Sequence, residues 1–193
     1  MEYTKLGKTG IDVSRFGLGC MRFPENKADA INMVRYAIDN GVNYIDTAYV
    51  YENSEMITGE ALQDGYRERI ILATKSPIWN IQAHDDFEKY LDEELKRLRM
   101  DHIDIYLLHN LNPGNWKAVK KYDGLSFLDK MVKKGKIRYK GFSIHNTVEV
   151  FKEIVDIFEW EMAQIQLNIL GETYQAGIEG LRYGAKKGLE HLS

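Results

Sequence analysis

Val42-Asn-Tyr-Ile-Asp-Thr-Ala-Tyr-Val-Tyr51 opens as a short apolar run, closes that run on the carboxylate of Asp46, and carries the phenol of Tyr51 five residues further on. Two later runs behave alike. Ile70-Ile-Leu-Ala-Thr-Lys75 ends on an amine, and Ile103-Asp-Ile-Tyr-Leu-Leu-His109 ends on an imidazole. Runs of this length and apolarity suit buried β-strands. If the strands are parallel neighbours, an acid, a phenol, an amine and an imidazole converge at one end of one sheet. Taken singly, each residue has a bland reading: an Asp at a strand end serves turns and helix caps, and a lone His is a satisfied structural group. Their joint occurrence at like strand positions favours proton-transfer chemistry.

Outward from this stretch the chain alternates between two periods. Strand-like runs occupy Phe16–Cys20, Val42–Asp46, Ile70–Lys75, Ile103–His109, Ile137–Ser143 and Met162–Leu167. Between them, Ala30, Ile31, Val34, Ala37 and Ile38 trace a helical apolar face stopped by Asn40-Gly41. Phe87, Tyr90, Leu91, Leu95 and Leu98 trace a second, Leu125, Leu128, Met131 and Val132 a third, and Val150, Phe151, Ile154 and Val155 a fourth, with Asn146 or Thr147 as N-cap. Strand centres recur every 25 to 35 residues or so, roughly the size of a βαβ unit. Such apolar strands are covered on both faces, which means a parallel sheet. Ahead of the repeat, Tyr3–Leu6 and Ile11–Ser14 flank Gly7-Lys-Thr-Gly10 and read as a small β-hairpin. A doubly wound dinucleotide fold would want a third glycine after Gly17-Leu-Gly19, and Cys-Met-Arg-Phe follows instead. Chemistry spread over the ends of several strands is a (β/α)8 TIM-barrel habit. The expected architecture is therefore α/β, an incomplete barrel of about six βα units in one domain spanning 1–193.

With 193 residues, 44% hydrophobic and 28% charged, the chain can bury one substantial core. A net charge of -3 supplies no field that would draw nucleic acid or a membrane surface. The basic stretch Lys133-Lys-Gly-Lys-Ile-Arg-Tyr-Lys140 reads as a turn before a strand. Cys20 is the sole cysteine, which excludes an internal disulfide and a multi-cysteine metal site and fits a reducing compartment. No apolar signal core or membrane-length run is present, so a cytoplasmic protein is expected. A barrel metallohydrolase ranks last, because no His-x-His or His-Glu-x-x-His occurs.

An ammonium beside a phenol favours its phenolate, so Lys75 close to Tyr51 would make Tyr51 a workable general acid towards a carbonyl oxygen. Asp46 would pair with Lys75 and offset its buried charge. His109 would hydrogen-bond the same oxygen and orient the substrate. Met21, Tyr49, Trp79 and Asn110 fall on loops after strands, where they either line a substrate pocket or merely fill the barrel mouth. Trp79, four residues past Lys75, is the strongest pocket candidate. Cys20 near the same mouth reads as a small buried filler. Trp116 and Trp160 read as peripheral.

The chain resembles the aldo-keto reductase family over nearly its whole length. The resemblance rests on Tyr3-Thr-Lys-Leu-Gly-Lys-Thr-Gly-Ile-Asp-Val-Ser14, Phe16-Gly-Leu-Gly-Cys-Met21, Asp46-Thr-Ala48 followed by Tyr51 and Ser54-Glu55, Ala73-Thr-Lys75, Leu107-Leu-His109, Gly141-Phe-Ser143 and Gln164-Ile-Gln166. In wording it is nearest to the subfamily with an iron–sulfur C-terminal extension. The resemblance implies a catalytic tetrad of Asp46, Tyr51, Lys75 and His109. It implies reduction of an aldehyde or ketone by a reduced nicotinamide cofactor lying across the mouth of a barrel, with NADPH (NADP) the family norm and NAD the alternative. Ser143 and Gln164 match positions that contact the nicotinamide, and Gly19, Cys20, Met21 and Asp46 are expected beside the cofactor. Ile144 stands where an Asn is common, and Leu167 where many relatives have Tyr. His145 then either contacts the carboxamide or caps the next helix.

The resemblance also implies that the chain stops where relatives enter a seventh strand. Its expected partners are a small-molecule carbonyl substrate and, through open barrel edges, a second copy of itself. The alternative is a non-catalytic accessory or cofactor-sensing protein on the same fold.

Overall fold

The computed structural model describes residues 1–192. Strands β1 (Tyr3–Lys5) and β2 (Asp12–Ser14) form an antiparallel hairpin with Tyr3 opposite Ser14, turning through a 3-10 segment at Gly7–Thr9. Seven strands then form one parallel sheet in sequence order: β3 (Leu18–Gly19), β4 (Tyr44–Asp46), β5 (Ile71–Ser76), β6 (Ile103–Leu108), β7 (Ile137–Ile144), β8 (Met162–Ile165) and β9 (Glu190–Leu192). The α/β barrel expectation and the hairpin both hold. The ending departs from it: Glu190–Leu192 pairs in parallel with Met162–Gln164, a short seventh strand where the sequence had read as ending before one. β3 is also shorter than the expected Phe16–Cys20 run, because Phe16 is 61% exposed and the pairing starts only at Leu18.

Each of the strands β3 to β8 is followed by at least one helix on the outer face. These are α1 (Lys27–Asp39), α2 (Ser54–Ala61), α3 (His84–Leu98), α4 (Pro113–Lys121), α5 (Gly124–Lys133), α6 (Val148–Ile157) and α7 (Gly177–Lys187), with α4 and α5 both between β6 and β7. Four of them were legible as apolar faces; α2, α4 and α7 were not. α4 did carry a local signal, since Asn112 caps it by accepting from the Asn115 amide and Pro113 occupies its first turn. α1 is capped in the same way, Asn26 accepting from the amides of Ala28 and Asp29. Where α2 meets the end of α3 the backbones nearly touch. A Cβ on Gly59 would lie 2.4 Å from the Leu98 carbonyl oxygen, so the position admits no side chain.

Strand alternation splits the apolar residues into two cores. Ile45, Leu72, Tyr106, Leu108, Phe142, Ile144, Ala163 and Ile165 face the helices. Tyr44, Ala73, Ile105, Leu107 and Met162 face the barrel interior and pack with Leu6 and Val13 of the hairpin. The hairpin therefore plugs the N-terminal end of the barrel. It is held there by Asn43, which accepts from the Ser14 amide and donates its own amide to the Ser14 hydroxyl.

Trp116 and Trp160, read as peripheral, are buried under β7 instead, 6.5 Å apart, with the Trp160 ring 4.9 Å from Phe142. The basic stretch is a turn before a strand, as expected: Lys134 and Lys136 pair with Glu88 and Asp92 on α3. No helix among the described residues is long and apolar enough to cross a membrane.

Candidate active site

The interior face that carries Tyr44, Ala73, Ile105, Leu107 and Met162 continues upward two residues at a time to Asp46, Lys75, His109 and Gln164, and Gly141 leads to Ser143 in the same way. The register is staggered: Asp46 lies opposite Ala73, and Lys75 opposite Leu107. That shear is what closing a sheet into a barrel demands. It lets the long lysine side chain reach across to the neighbouring strand.

Lys75 is 2% exposed, and its Nζ donates to Asp46 Oδ2 at 2.5 Å and to the Thr47 carbonyl at 2.8 Å. The ammonium sits 5.1 Å from the centroid of the half-buried Tyr51 ring. Tyr51 meets His109 edge-on, with ring centroids 5.9 Å apart at 89°. Burial, with the Lys75 charge and His145 adding to it, pushes the His109 pKa down to about 3, so its imidazole is neutral across the physiological range. All four residues of the expected tetrad thus share one rim, and the Lys75 Nζ lies 5.1 Å from the centroid of the Tyr51 ring.

The cofactor candidates divide. Ser143 is buried at the mouth, where its hydroxyl accepts from the Asn110 amide at 2.9 Å. Gln164 Oε1, His109 Nδ1 and Asp46 Oδ1 are buried without a hydrogen-bond partner among the described residues. These three atoms lie around one mouth and can pair with a polar ligand. Gly19 borders it with open space where a Cβ would stand. Met21 is 52% exposed at the same end. Cys20 is different: its side chain is wholly buried, its thiol pushed up to about 12 by that burial, and only its backbone contributes, the amide donating to the Asp46 carbonyl at 2.7 Å. Its side chain is a buried filler. His145 is exposed and faces Gln175 Oε1 at 3.3 Å, bridging to the loop after β8, while Thr147 takes the N-cap position of α6.

Of the pocket candidates, Trp79 sets its ring 5.4 Å from that of His109. Asn110 adopts a left-handed backbone (φ 51) and contributes its amide to Ser143 and its carbonyl to Asn115. Tyr49 does not line the mouth. Its hydroxyl donates to Glu93, its ring stacks edge-on with Tyr90, and the Arg97 guanidinium covers it at 3.9 Å, all on α3 outside the sheet. Loop position alone does not say which way a side chain turns, and α3 offers Tyr49 both a charge partner and an aromatic neighbour. Sequence reasoning also gave no role to Ser54 and Thr47. The Ser54 hydroxyl donates to the Cys20 carbonyl at 2.6 Å and shares a 2.7 Å hydrogen bond with Thr47, which ties the ends of β3 and β4 to the turn after Tyr51.

Comparison with known proteins identifies the family. Residues 15–190 match the Aldo/keto reductase family, and the chain belongs to it. It is 33% identical over 159 residues to probable aldo-keto reductase 1 of Glycine max, covering 74% of this chain and 45% of that protein. It is 34% identical over 150 residues to the glyoxal reductase of Bacillus subtilis (strain 168), covering 75% of this chain and 51% of that one. Its fold overlays on the holo form of an aldo-keto reductase from Bacillus halodurans with a TM-score of 0.79 at 25% identity, covering 100% of this chain and 65% of the other. The chain spans about half the length of the curated relatives it matches.

Proposed function

We infer that this chain carries the catalytic centre of a nicotinamide-dependent carbonyl reductase that converts aldehydes or ketones to alcohols. The observation that carries the reading is the Lys75 ammonium, nearly dry, held by Asp46 at 2.5 Å and lying 5.1 Å from the Tyr51 ring. The Tyr51 hydroxyl is the proton donor towards a carbonyl oxygen, and the ammonium over its ring stabilises negative charge as it develops there. Asp46 holds the Lys75 amine in place through their 2.5 Å contact. His109, neutral, can offer an N–H to the same oxygen without competing as an acid. Trp79 beside it supplies an apolar wall for the substrate.

A reduced nicotinamide, when bound, supplies the hydride that the carbonyl carbon receives. Gln164 and Ser143 are the side chains suited to its carboxamide, Asp46 Oδ1 adds a free acceptor, and the Gly19 backbone leaves room beside them. NADPH is the expected nucleotide on the family's habit, with NADH the alternative.

The test is NADPH oxidation measured with a panel of aldehydes and ketones, for the chain and for Tyr51→Phe. Turnover that disappears with the hydroxyl supports the reading. Turnover that survives removes Tyr51 from its role. Tight nucleotide binding with no turnover on any carbonyl would favour a cofactor-sensing protein.

A further inference from the structure

Resting on the proposed function, we propose that Glu55, acting with Arg97, is a positioning residue that fixes the turn bearing Tyr51 to the strand bearing Lys75. The turn from Ala48 to Ser54 needs holding. Glu52, directly after Tyr51, has a left-handed backbone (φ 40) that a glutamate adopts only under constraint. The turn's own backbone supplies two hydrogen bonds around Tyr51, from its amide to the Ala48 carbonyl and from the Ser54 amide to its carbonyl.

The Tyr49 amide donates to the Lys75 carbonyl at 3.3 Å and the Ser54 hydroxyl to the Cys20 carbonyl at 2.6 Å, and a further grip comes from behind the sheet. Glu55 is 1% exposed in the first turn of α2, and its Oε1 accepts from the Thr74 hydroxyl at 2.7 Å. Thr74 is the residue before Lys75, its side chain on the opposite face of β5. The other carboxylate oxygen faces Arg97 at 3.4 Å, and the same guanidinium nitrogen donates to the Tyr49 carbonyl at 3.1 Å. Glu93 steadies Arg97 through its second terminal nitrogen at 2.6 Å. The turn is therefore gripped two residues before Tyr51 and four residues after it, and both grips lead to the strand that carries the lysine.

A purely structural role explains this arrangement less well. Burying a carboxylate against one neutral hydroxyl and one long guanidinium contact disfavours its charge, and burial does raise the Glu55 pKa. What the carboxylate adds is a directional link across three elements, and catalytic geometry is where direction matters, since a displacement of roughly 1 Å can cost about 100-fold in rate.

Glu55→Gln and Arg97→Lys test the proposal against Asp104→Asn, which neutralises another buried carboxylate, one paired with Arg67 and Arg138 and holding the Leu72 amide near the start of β5, away from the Tyr51 turn. In the first two variants kcat should fall about 10- to 100-fold with KM within about threefold, and amide hydrogen exchange at Tyr51 and Ser54 should quicken at least about tenfold while β6 exchange is unchanged. Asp104→Asn should lower the melting temperature and leave both readouts as they were. Arg97→Lys keeps the charge, so it serves if Glu55→Gln folds poorly. Unchanged kcat and unchanged exchange in both variants would overturn the proposal. So would a kcat loss matched by Asp104→Asn. A wild-type chain with no turnover, whose exchange at Tyr51 still loosens in the variants, would defeat the carbonyl reductase reading and leave the coupling of the turn to Glu55 standing.

Discussion

Asp46 and Lys75 meet at 2.5 Å across two neighbouring strands, with 2% of the lysine side chain and 13% of the aspartate side chain reaching solvent. Removing one partner strands a charge; removing both does not. Asp46→Asn should therefore destabilise the fold by about 3 kcal/mol, measured by urea unfolding. The double variant Asp46→Leu with Lys75→Met should lose clearly less than Asp46→Asn alone, while abolishing any carbonyl reduction.

His109 titrates at about 3 in the folded chain against an ordinary value of 6.5. The sign follows from that order. Above pH 6.5 the ring is neutral whether folded or unfolded, and its contribution is fully present. As the pH falls from 6.5 towards 3 the unfolded chain takes up a proton that the folded chain refuses, and stability falls by up to about 1.4 kcal/mol per pH unit. The raised pKa values of the buried Glu55 and Glu94 act in the opposite direction. The comparison with His109→Gln isolates the histidine: urea unfolding between pH 6.5 and 4.5 should show a shallower loss in the variant. An identical pH slope in both proteins would contradict a neutral, buried imidazole.

Gln164 and Ser143 should separate binding from stability. The Gln164 Oε1 atom is buried without a partner among the described residues, so Gln164→Leu should leave the melting temperature unchanged or raise it. The same substitution should weaken NADPH binding about tenfold, roughly 1.4 kcal/mol, by fluorescence titration. Ser143→Ala should weaken binding and also cost stability, because the Asn110 amide loses its acceptor.

Gly59→Ala would ordinarily gain about 1 kcal/mol of helix propensity. Here the added Cβ would stand 2.4 Å from a backbone oxygen at the end of α3, which cannot move aside as a side chain could. The net effect should be a loss of about 2 kcal/mol or more in thermal or urea unfolding. Because α2 follows the Tyr51 turn directly, kcat should fall as well.

Particular residues show what was legible in advance. Asp46, Lys75 and His109 could be placed because each closes a strand-length apolar run, and a parallel sheet brings like strand ends together. α2 was missed because its first turn is polar and its buried residues (Ser54, Glu55, Thr58, Gly59 and Ala61) form no apolar stripe. α7 was missed for a like reason, since its buried positions are Gly177, Gly180 and Gly184. Tyr49 was misplaced because the phenol could turn either way from its loop, and Arg97, 48 residues later, decided the matter. Cys20 and Met21 are adjacent, yet one is wholly buried and the other half exposed, a difference set by what α2 covers.

The sequence by itself determined the repeating βα units and the identity of the polar groups at the strand ends. Those follow from local run length and helical periodicity, which need no distant partner. Only the tertiary structure decided the stagger that lets Lys75 reach Asp46, the burial that keeps His109 neutral, and the path from Thr74 through Glu55 and Arg97 to the turn of Tyr51. Each of these depends on atoms brought close by chain segments far apart in sequence, and no local pattern encodes such distances.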